Sequence, residues 1–268
     1  MAIHDSSIGV LKQHLSLMLV NKVSEALRII EKARRKTRVP LIVNFSGGKD
    51  SVVTIDLVSR VTREFKAFFM ESSIDFPETL DFVRRQAEIL GVELLTSNPK
   101  RDYLGDFYDF VERYGYFPNF KAPWCSSRLK HRPSKRVLQR LFGEEMVYRL
   151  TGIRRFESTR RTRVYHPAEF FQSDCENSRA RLVHPLLLWT DEDVAEYIAE
   201  KRLEVHSGYK VCGVSGCFWC IYYQRSIYER VLKMKPNLYE GIIRLEEKFG
   251  QPSCAGRLFL RDLKAEAE

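Results

Sequence analysis

Seven consecutive residues, Phe45-Ser46-Gly47-Gly48-Lys49-Asp50-Ser51, combine two glycines, a lysine and flanking hydroxyls. They follow an apolar run, Leu41-Ile42-Val43-Asn44, and precede an amphipathic stretch that opens at Val52. That context predicts strand, turn, helix. Adjacent glycines let the backbone turn sharply and approach a ligand closely. Backbone N–H groups and the positive end of the next helix then converge, which suits an anion. Ser46 and Ser51 add hydroxyl donors and Lys49 a mobile positive charge, so the loop is suited to holding phosphate. A second constellation is Cys212-Gly213-Val214-Ser215-Gly216-Cys217-Phe218-Trp219-Cys220, three thiols with two at C-x-x-C spacing. Gly213 and Gly216 permit the turn that would bring them to one centre, and Cys125 would supply a fourth ligand. Four thiolates suit zinc or an iron–sulfur cluster, and spacing alone does not separate the two. Phe218 and Trp219 would give an apolar shell. Cys175 and Cys254 read as buried small hydrophobes, with a sulfur-carrying role the lesser alternative.

The elements that must position these groups follow from pattern. The chain has 268 residues, 44% of them hydrophobic, enough for one large core or one domain with appendages. Apolar positions at helical spacing from Ile8 to Lys36 predict one or two lead-in helices, broken by Pro40. Strands are predicted at Leu41–Asn44, Ala67–Met70, Val92–Thr96, Met146–Thr151 and Leu182–Val183. Helices are predicted at Pro77–Leu90, Tyr103–Tyr114 and Ser134–Leu141, from Thr190-Asp191-Glu192-Asp193 through Tyr197 with a capping signature, and at Ser226–Lys235 and Leu238–Phe249. Such alternation predicts an α/β fold, a doubly wound and mostly parallel sheet. Ligands of such sheets sit beyond the carboxyl ends of the strands, where the Ser46–Ser51 loop falls. The expected organisation is a helical lead-in (1–38), a nucleotide-binding domain (39–202) and a cysteine-bearing helical segment (203–268).

Net charge is +9. The window Lys121–Arg163 holds 13 Lys or Arg and 3 Asp or Glu, a local excess of +10. That concentration favours a polyanionic partner, nucleotide phosphates or a nucleic-acid backbone; the alternative is a solvated basic face. No apolar run approaches the roughly 20 residues needed to cross a bilayer, and no basic region precedes the apolar N-terminal residues as in a signal peptide. A cytoplasmic, non-membrane protein is expected. Its six cysteines then serve metal binding or catalysis more readily than disulfides.

The run S-G-G-K-D-S resembles the pyrophosphate loop of the ATP pyrophosphatase superfamily, whose members cleave ATP between the α and β phosphates and leave an adenylate on a substrate. Three further segments resemble one branch, the phosphoadenylyl-sulfate reductase family. Asp75-Phe76-Pro77-Glu78-Thr79 is similar to its D-x-x-F-P-E-T segment, and Trp124-Cys125-Ser126-Ser127-Arg128-Leu129-Lys130 to its W-C-x-x-x-L-K stretch. Residues Gly152 to Arg161 are similar to its G-x-R-x-x-E-S-x-x-R stretch, in which Arg154 and Arg161 would grip phosphate oxygens and Glu157 would orient one of them. The resemblance spans about Leu41 to Cys220. It implies ATP at Ser46, Gly47, Gly48, Lys49, Asp50, Ser51, Gly152 and Lys130, with catalysis by Lys49, Asp50, Arg154 and Arg161. Mg²⁺ is implied with Asp50 as a direct or water-mediated ligand, and a 4Fe–4S cluster, in preference to zinc, on Cys125, Cys212, Cys217 and Cys220.

The departures from the reductase pattern redirect the reading. The tail Pro252-Ser253-Cys254-Ala255-Gly256-Arg257 lacks the family's E-C-G-x-H catalytic segment, Cys125 is followed by Ser126 rather than a second cysteine, and the loop keeps Lys49 and Asp50. The chain is most similar to the sulfur-inserting ATP pyrophosphatases of DNA phosphorothioation systems, and shares its loop with tRNA thiolases. That implies ATP-dependent adenylation of a nucleic acid, DNA or tRNA, with a sulfur donor such as a cysteine desulfurase. The alternative is an adenylyl-sulfate or phosphoadenylyl-sulfate reductase that releases sulfite, with Cys254 as an atypical catalytic thiol. The oligomeric state stays open.

Overall fold

A computed structural model describes residues 3–174, 177–254 and 258–267. In chain order the elements are α1 (Ile3–Arg34), β1 (Leu41–Asn44), α2 (Lys49–Val61), β2 (Phe65–Met70), α3 (Pro77–Leu90) and β3 (Leu94–Ser97). There follow α4 (Pro99–Asp102), α5 (Phe107–Tyr114), a wide π-type turn over Ser126–His131, α6 (Arg132–Phe142), β4 (Val147–Leu150) and α7 (Thr159–Val164). The chain continues with β5 (Phe171–Asp174), β6 (Asn177–Val183), α8 (Asp191–Lys201), α9 (Gly208–Val211), α10 (Arg225–Met234), α11 (Glu240–Phe249) and α12 (Leu260–Ala267). The six strands form one sheet in the order β3-β2-β1-β4-β6-β5. β4 pairs parallel with both β1 and β6, whereas β5 pairs antiparallel with β6. This is the α/β, mostly parallel fold expected. The strand order reverses between β1 and β4, the kind of switch point at which such sheets open a ligand crevice.

The chain divides into two compact units: Met1–Phe45, Lys49–Ala67 and Glu145–Glu204 form the first, and Ser46–Gly48, Phe68–Glu144 and Val205–Glu268 the second. The first is built on β1, whose Leu41, Ile42 and Val43 are fully buried, with Val53 and Val58 of α2, Ala26 and Ile30 of α1, and Val194 and Tyr197 of α8. Buried on every side, β1 reads as a continuous apolar run, as parallel strands do.

The core of the second unit is aromatic: Phe107, Phe110, Trp219, Tyr228 and Tyr239 are buried together with Val111, Val231 and Ile242. One charged group sits inside it. Glu246 is 0% exposed, and its Oε1 accepts hydrogen bonds from the Ser253 amide (2.9 Å), the Ser253 hydroxyl and the Leu260 amide (2.9 Å). Oε2 accepts from the Arg261 amide at 3.1 Å. The carboxylate thereby terminates α12 at its positive end.

Some elements depart from the expected pattern: the strand expected over Leu182–Val183 begins at Asn177, and α4, α7, α9 and α12 were not expected. The expected helix Tyr103–Tyr114 starts only at Phe107, because Asp106 caps it and closes a capping box with Asp109. The hairpin strand β5 was not expected; it is a four-residue edge without apolar alternation. Among the described residues no helix is long and apolar enough to cross a membrane.

Candidate functional site

Within the first unit, β1 delivers the chain to Phe45 and α2 begins at Lys49. Arg154, 1% exposed, donates from Nε to Asp50 Oδ1 at 2.8 Å and from Nη2 to Asp191 Oδ1 at 2.9 Å. Lys49 Nζ donates to that same Asp191 oxygen. Two cations and two carboxylates therefore alternate at the opening turns of α2 and α8. Asp191 is 62% exposed in its side chain, so its pairing with Lys49 is a surface ion pair worth about 0–1 kcal/mol. A phosphate can take Lys49 from it at small cost. The hydrogen bond from Lys49 holds the Asp191 carboxyl below its usual range, with Arg154 assisting against partial burial. Burial pushes Asp50 the other way, against the attraction of Arg154 and Lys49.

The Gly152–Arg161 stretch resolves residue by residue. A Cβ on Gly152 would stand 2.7 Å from the Asp50 carbonyl carbon and 2.9 Å from its oxygen, so the exit of β4 is pressed against the first turn of α2. Gly152→Ala is expected to displace Lys49 and Asp50 and to destabilise the first unit by about 1–3 kcal/mol, the usual cost of overpacking. A thermal melt checks this, and an unchanged melting temperature would show that the contact is dispensable. Arg154 was expected to grip phosphate; in the structure its Nε and Nη2 are committed to Asp50 and Asp191. Glu157 pairs with Arg161, as expected, and Ser158 caps α7. Beneath them His184, fully buried, shares a 2.7 Å hydrogen bond with Thr151. Burial, assisted by Arg161, drives its pKa down to about 4.

In the second unit Gly47 takes φ +77°, where a Cβ would also meet Val83 at 3.3 Å and Phe82 at 3.4 Å. Both are reasons for glycine there. A Cβ on Gly48 would meet the Tyr209 hydroxyl at 3.3 Å and Ser215 Oγ at 3.4 Å. Ser46 Oγ accepts from the Gly48 amide at 3.4 Å, while Ser51, which opens α2, is buried. The Asp75 segment lies beside the cysteine loop like a strand, with Phe76 N–H on Gly216 O and Phe218 N–H on Ile74 O, both at 2.8 Å.

Cys217 is the centre of this half. Its Sγ lies 3.2 Å from Ser72 Oγ, 3.3 Å from Lys130 Nζ and 3.8 Å from Asp75 Oδ1. Lys130, expected among the nucleotide ligands, stands against this sulfur in the structure. Negative charge on Cys217 would raise the Lys130 pKa, outweighing burial. Cys125, Cys217 and Cys220 interact electrostatically with one another, and burial above all pushes Cys125 up to about 11. Cys212 is fully buried and faces another set of charges, Lys235, Arg230 and Glu78. Among the described residues no three His, Cys, Asp or Glu side chains converge closely enough to hold one metal ion. In kind the donors still fit a thiolate-bound cluster: Cys125, Cys217 and Cys220 are mutually coupled, a cation stands beside them, and Trp219 and Phe107 rings 5.1 Å apart contribute to the apolar surroundings. Cys175 lies outside the described residues.

Sequence reasoning missed two features. Asp191 read only as part of a cap, yet Asp193 closes the capping box with Thr190 and leaves Asp191 to Lys49 and Arg154. Three tyrosine hydroxyls donate to carbonyls of the cysteine loop, Tyr223 to Cys217 at 2.7 Å, Tyr239 to Phe218 at 2.8 Å, and Tyr228 to Cys220. They are spaced as ordinary core residues, so only the aromatic richness of the segment could have hinted at them.

Comparison with known proteins completes this description. Residues 40–221 match the Phosphoadenosine phosphosulfate reductase domain. An uncharacterised protein of Methanocaldococcus jannaschii is 28% identical over 77% of this chain, which spans only 47% of that protein. The adenosine 5'-phosphosulfate reductase of Geobacillus kaustophilus is 26% identical over 74% of this chain and 80% of its own length. Among solved structures, the phosphoadenylyl-sulfate reductase of Candida auris superposes with a TM-score of 0.51 at 19% identity, covering 74% of this chain and 90% of that one. The U34-tRNA thiolase NcsA of Methanococcus maripaludis, solved with its 4Fe–4S cluster, gives 0.51 at 16% identity over 88% and 82%. At such identities the structural likeness concerns the fold.

Proposed function

The chain belongs to the phosphoadenosine phosphosulfate reductase domain family, and from that premise we propose that it is an ATP pyrophosphatase-type enzyme that adenylates a nucleic acid, DNA or tRNA, for iron–sulfur-assisted sulfur transfer. The observation that carries this reading is Lys49 on the exposed carboxylate of Asp191 beside a fully buried Arg154. A charged group held loosely beside a rigid scaffold suits a leaving group whose charge develops during reaction.

In this reading the Ser46–Ser51 loop receives the phosphates of ATP, and Lys49 exchanges Asp191 for the β and γ phosphates. Arg154 keeps Asp50 oriented. An oxygen of the acceptor attacks the α phosphorus as the bond to the bridging oxygen breaks, and Lys49 neutralises the departing pyrophosphate. Mg²⁺, with Asp50 as its protein ligand, would add to that neutralisation when bound. The outer sulfur of a donor persulfide, such as a cysteine desulfurase carries, then displaces AMP, and a thiol cleaves the remaining S–S bond, which leaves the sulfur on the acceptor and a disulfide between that thiol and the donor. Cys125, Cys217 and Cys220, with Cys212 the fourth thiol of the set, would hold a 4Fe–4S cluster; an iron able to bind sulfur would be supplied where Cys212, buried among other charges, is not a ligand. Lys130 and the three tyrosines hold the Cys217–Cys220 segment in place.

The reductase reading draws support from the reductase relatives, but it needs a nucleophilic thiol near the C-terminus. Cys254 is 3% exposed, and burial pushes its pKa up to about 12, which weighs against it because the thiolate is the nucleophile. The deciding experiment is pyrophosphate release from ATP by anaerobically purified protein, with and without nucleic acid, beside sulfite release from the two adenylyl sulfates. Pyrophosphate without sulfite supports adenylation; sulfite without ATP consumption overturns it. Iron and acid-labile sulfide on the same preparation, lost on Cys217→Ala, would support the cluster.

A further inference from the structure

The second unit carries a row of arginines at four-residue spacing, Arg128, Arg132, Arg136 and Arg140, running from the π-type turn along α6. Residues so spaced share one face of a helix. Arg140 meets the buried carboxylate of Asp102 at 3.2 Å. The other three meet no carboxylate of the described residues and gather on a phenol instead. Arg128 and Arg132 both donate to the Tyr103 oxygen, at 3.0 and 2.9 Å, and the Arg136 guanidinium lies 4.7 Å above the Tyr103 ring. Partial burial raises the Tyr103 pKa, but the hydrogen bonds from Arg132 and Arg128 outweigh it and the phenol falls below its usual range.

A neutral phenol orders three guanidiniums without cancelling their charge. Like charges so close repel one another, and the arrangement is electrostatically complete only with an external anion. Successive arginines on a helix face rise about 6 Å, a spacing comparable with that of neighbouring phosphates on one nucleic-acid strand. A single small anion would use one or two of them. The row also continues into aromatic surface. Arg128 also interacts electrostatically with Tyr114, whose ring stacks 5.8 Å from that of Tyr116, and Tyr116 is 37% exposed. An exposed ring beside a row of cations suits a strand whose phosphates follow the charges and whose unpaired base stacks on the ring.

We propose that the Arg128–Arg132–Arg136 face, ordered by Tyr103 and extended by Tyr116, is the docking surface for a single-stranded segment of nucleic acid. This rests on the adenylation reading only for its purpose, since it names where the acceptor would dock. The test measures binding of a fluorescent single-stranded oligonucleotide without ATP, across a salt series. Arg132→Gln with Arg136→Gln is expected to weaken binding roughly tenfold or more and to flatten the slope of log affinity against log salt by about 1.4, two lost contacts on a single strand. Arg132→Lys with Arg136→Lys keeps both charges and should keep the slope, which separates charge loss from misfolding. Tyr116→Ala should cost roughly tenfold on the oligonucleotide and nothing on inorganic polyphosphate. An unchanged slope in the Gln pair overturns the proposal. Equal loss on polyphosphate, or no loss at all with Tyr116→Ala, overturns the assignment to nucleic acid. Absence of pyrophosphate release from ATP would sink the adenylation reading and leave these binding results standing.

Discussion

Lys49→Ala is expected to lower pyrophosphate release from ATP by roughly 10²–10³-fold, the usual loss when a group stabilising transition-state charge is removed. The structure sharpens the expectation because Lys49 pairs with the exposed Asp191. Its loss leaves Arg154 on Asp50 and Asp191, so the scaffold remains while the moving charge disappears. The melting temperature should therefore hardly change as the rate collapses. Asp191→Asn is the control: it weakens the surface pair with Lys49, worth at most about 1 kcal/mol, keeps an oxygen for Arg154 Nη2 and should alter the rate less than about fivefold. Coupled detection of pyrophosphate on anaerobic protein reads both. A Lys49→Ala protein that works at the normal rate would remove Lys49 from the chemistry.

Glu246→Ala is expected to destabilise the second unit by about 3–5 kcal/mol, because it takes the acceptor away from buried donors. The Ser253 amide and hydroxyl and the amides of Leu260 and Arg261 all depend on this one carboxylate. Such a loss is a large share of the 5–15 kcal/mol that holds a protein folded. It should lower the melting temperature on the order of 10 °C. Glu246→Gln keeps an oxygen for the three donors that share Oε1 and forfeits chiefly the Arg261 contact, so a cost of about 1–2 kcal/mol is expected. Thermal melts followed by circular dichroism compare the two. Equal losses from both changes would mean that charge, rather than the accepting oxygen, stabilises the end of α12.

What could be read in advance was local chemistry. β1 was legible over Leu41–Asn44 as an apolar run ending in glycines, and α3 over Pro77–Leu90 from a proline at its start and Gly91, which adopts φ +64°, just past its end. The phosphate loop was legible because two glycines and a lysine act through backbone and charge at one place in the chain. Asp191 was not, since its role depends on partners 142 and 37 residues away. The neighbour of Lys130 was hidden for the same reason: its motif says that a cation is needed, and only folding brings it to the Cys217 sulfur. The tyrosines of the cysteine loop look like core positions because their rings are core; their hydroxyls are what the pattern hides.

The π-type turn between Cys125 and α6 has a consequence for how this chain tolerates changes of length. Its bonds skip five residues, as from the Arg132 amide to the Ser127 carbonyl, so it holds one residue more than an α-helical turn. Each residue of an α-helix advances the face by about 100°, so a deletion within α6 itself would turn every later side chain off its face. The wider turn absorbs its extra residue without that rotation. Deleting one residue here would close the turn into an ordinary one and leave Leu138 buried and Arg136 over the Tyr103 ring. This turn is therefore the place along the segment where the chain can shorten by a single codon and keep the inner and outer faces of the helix.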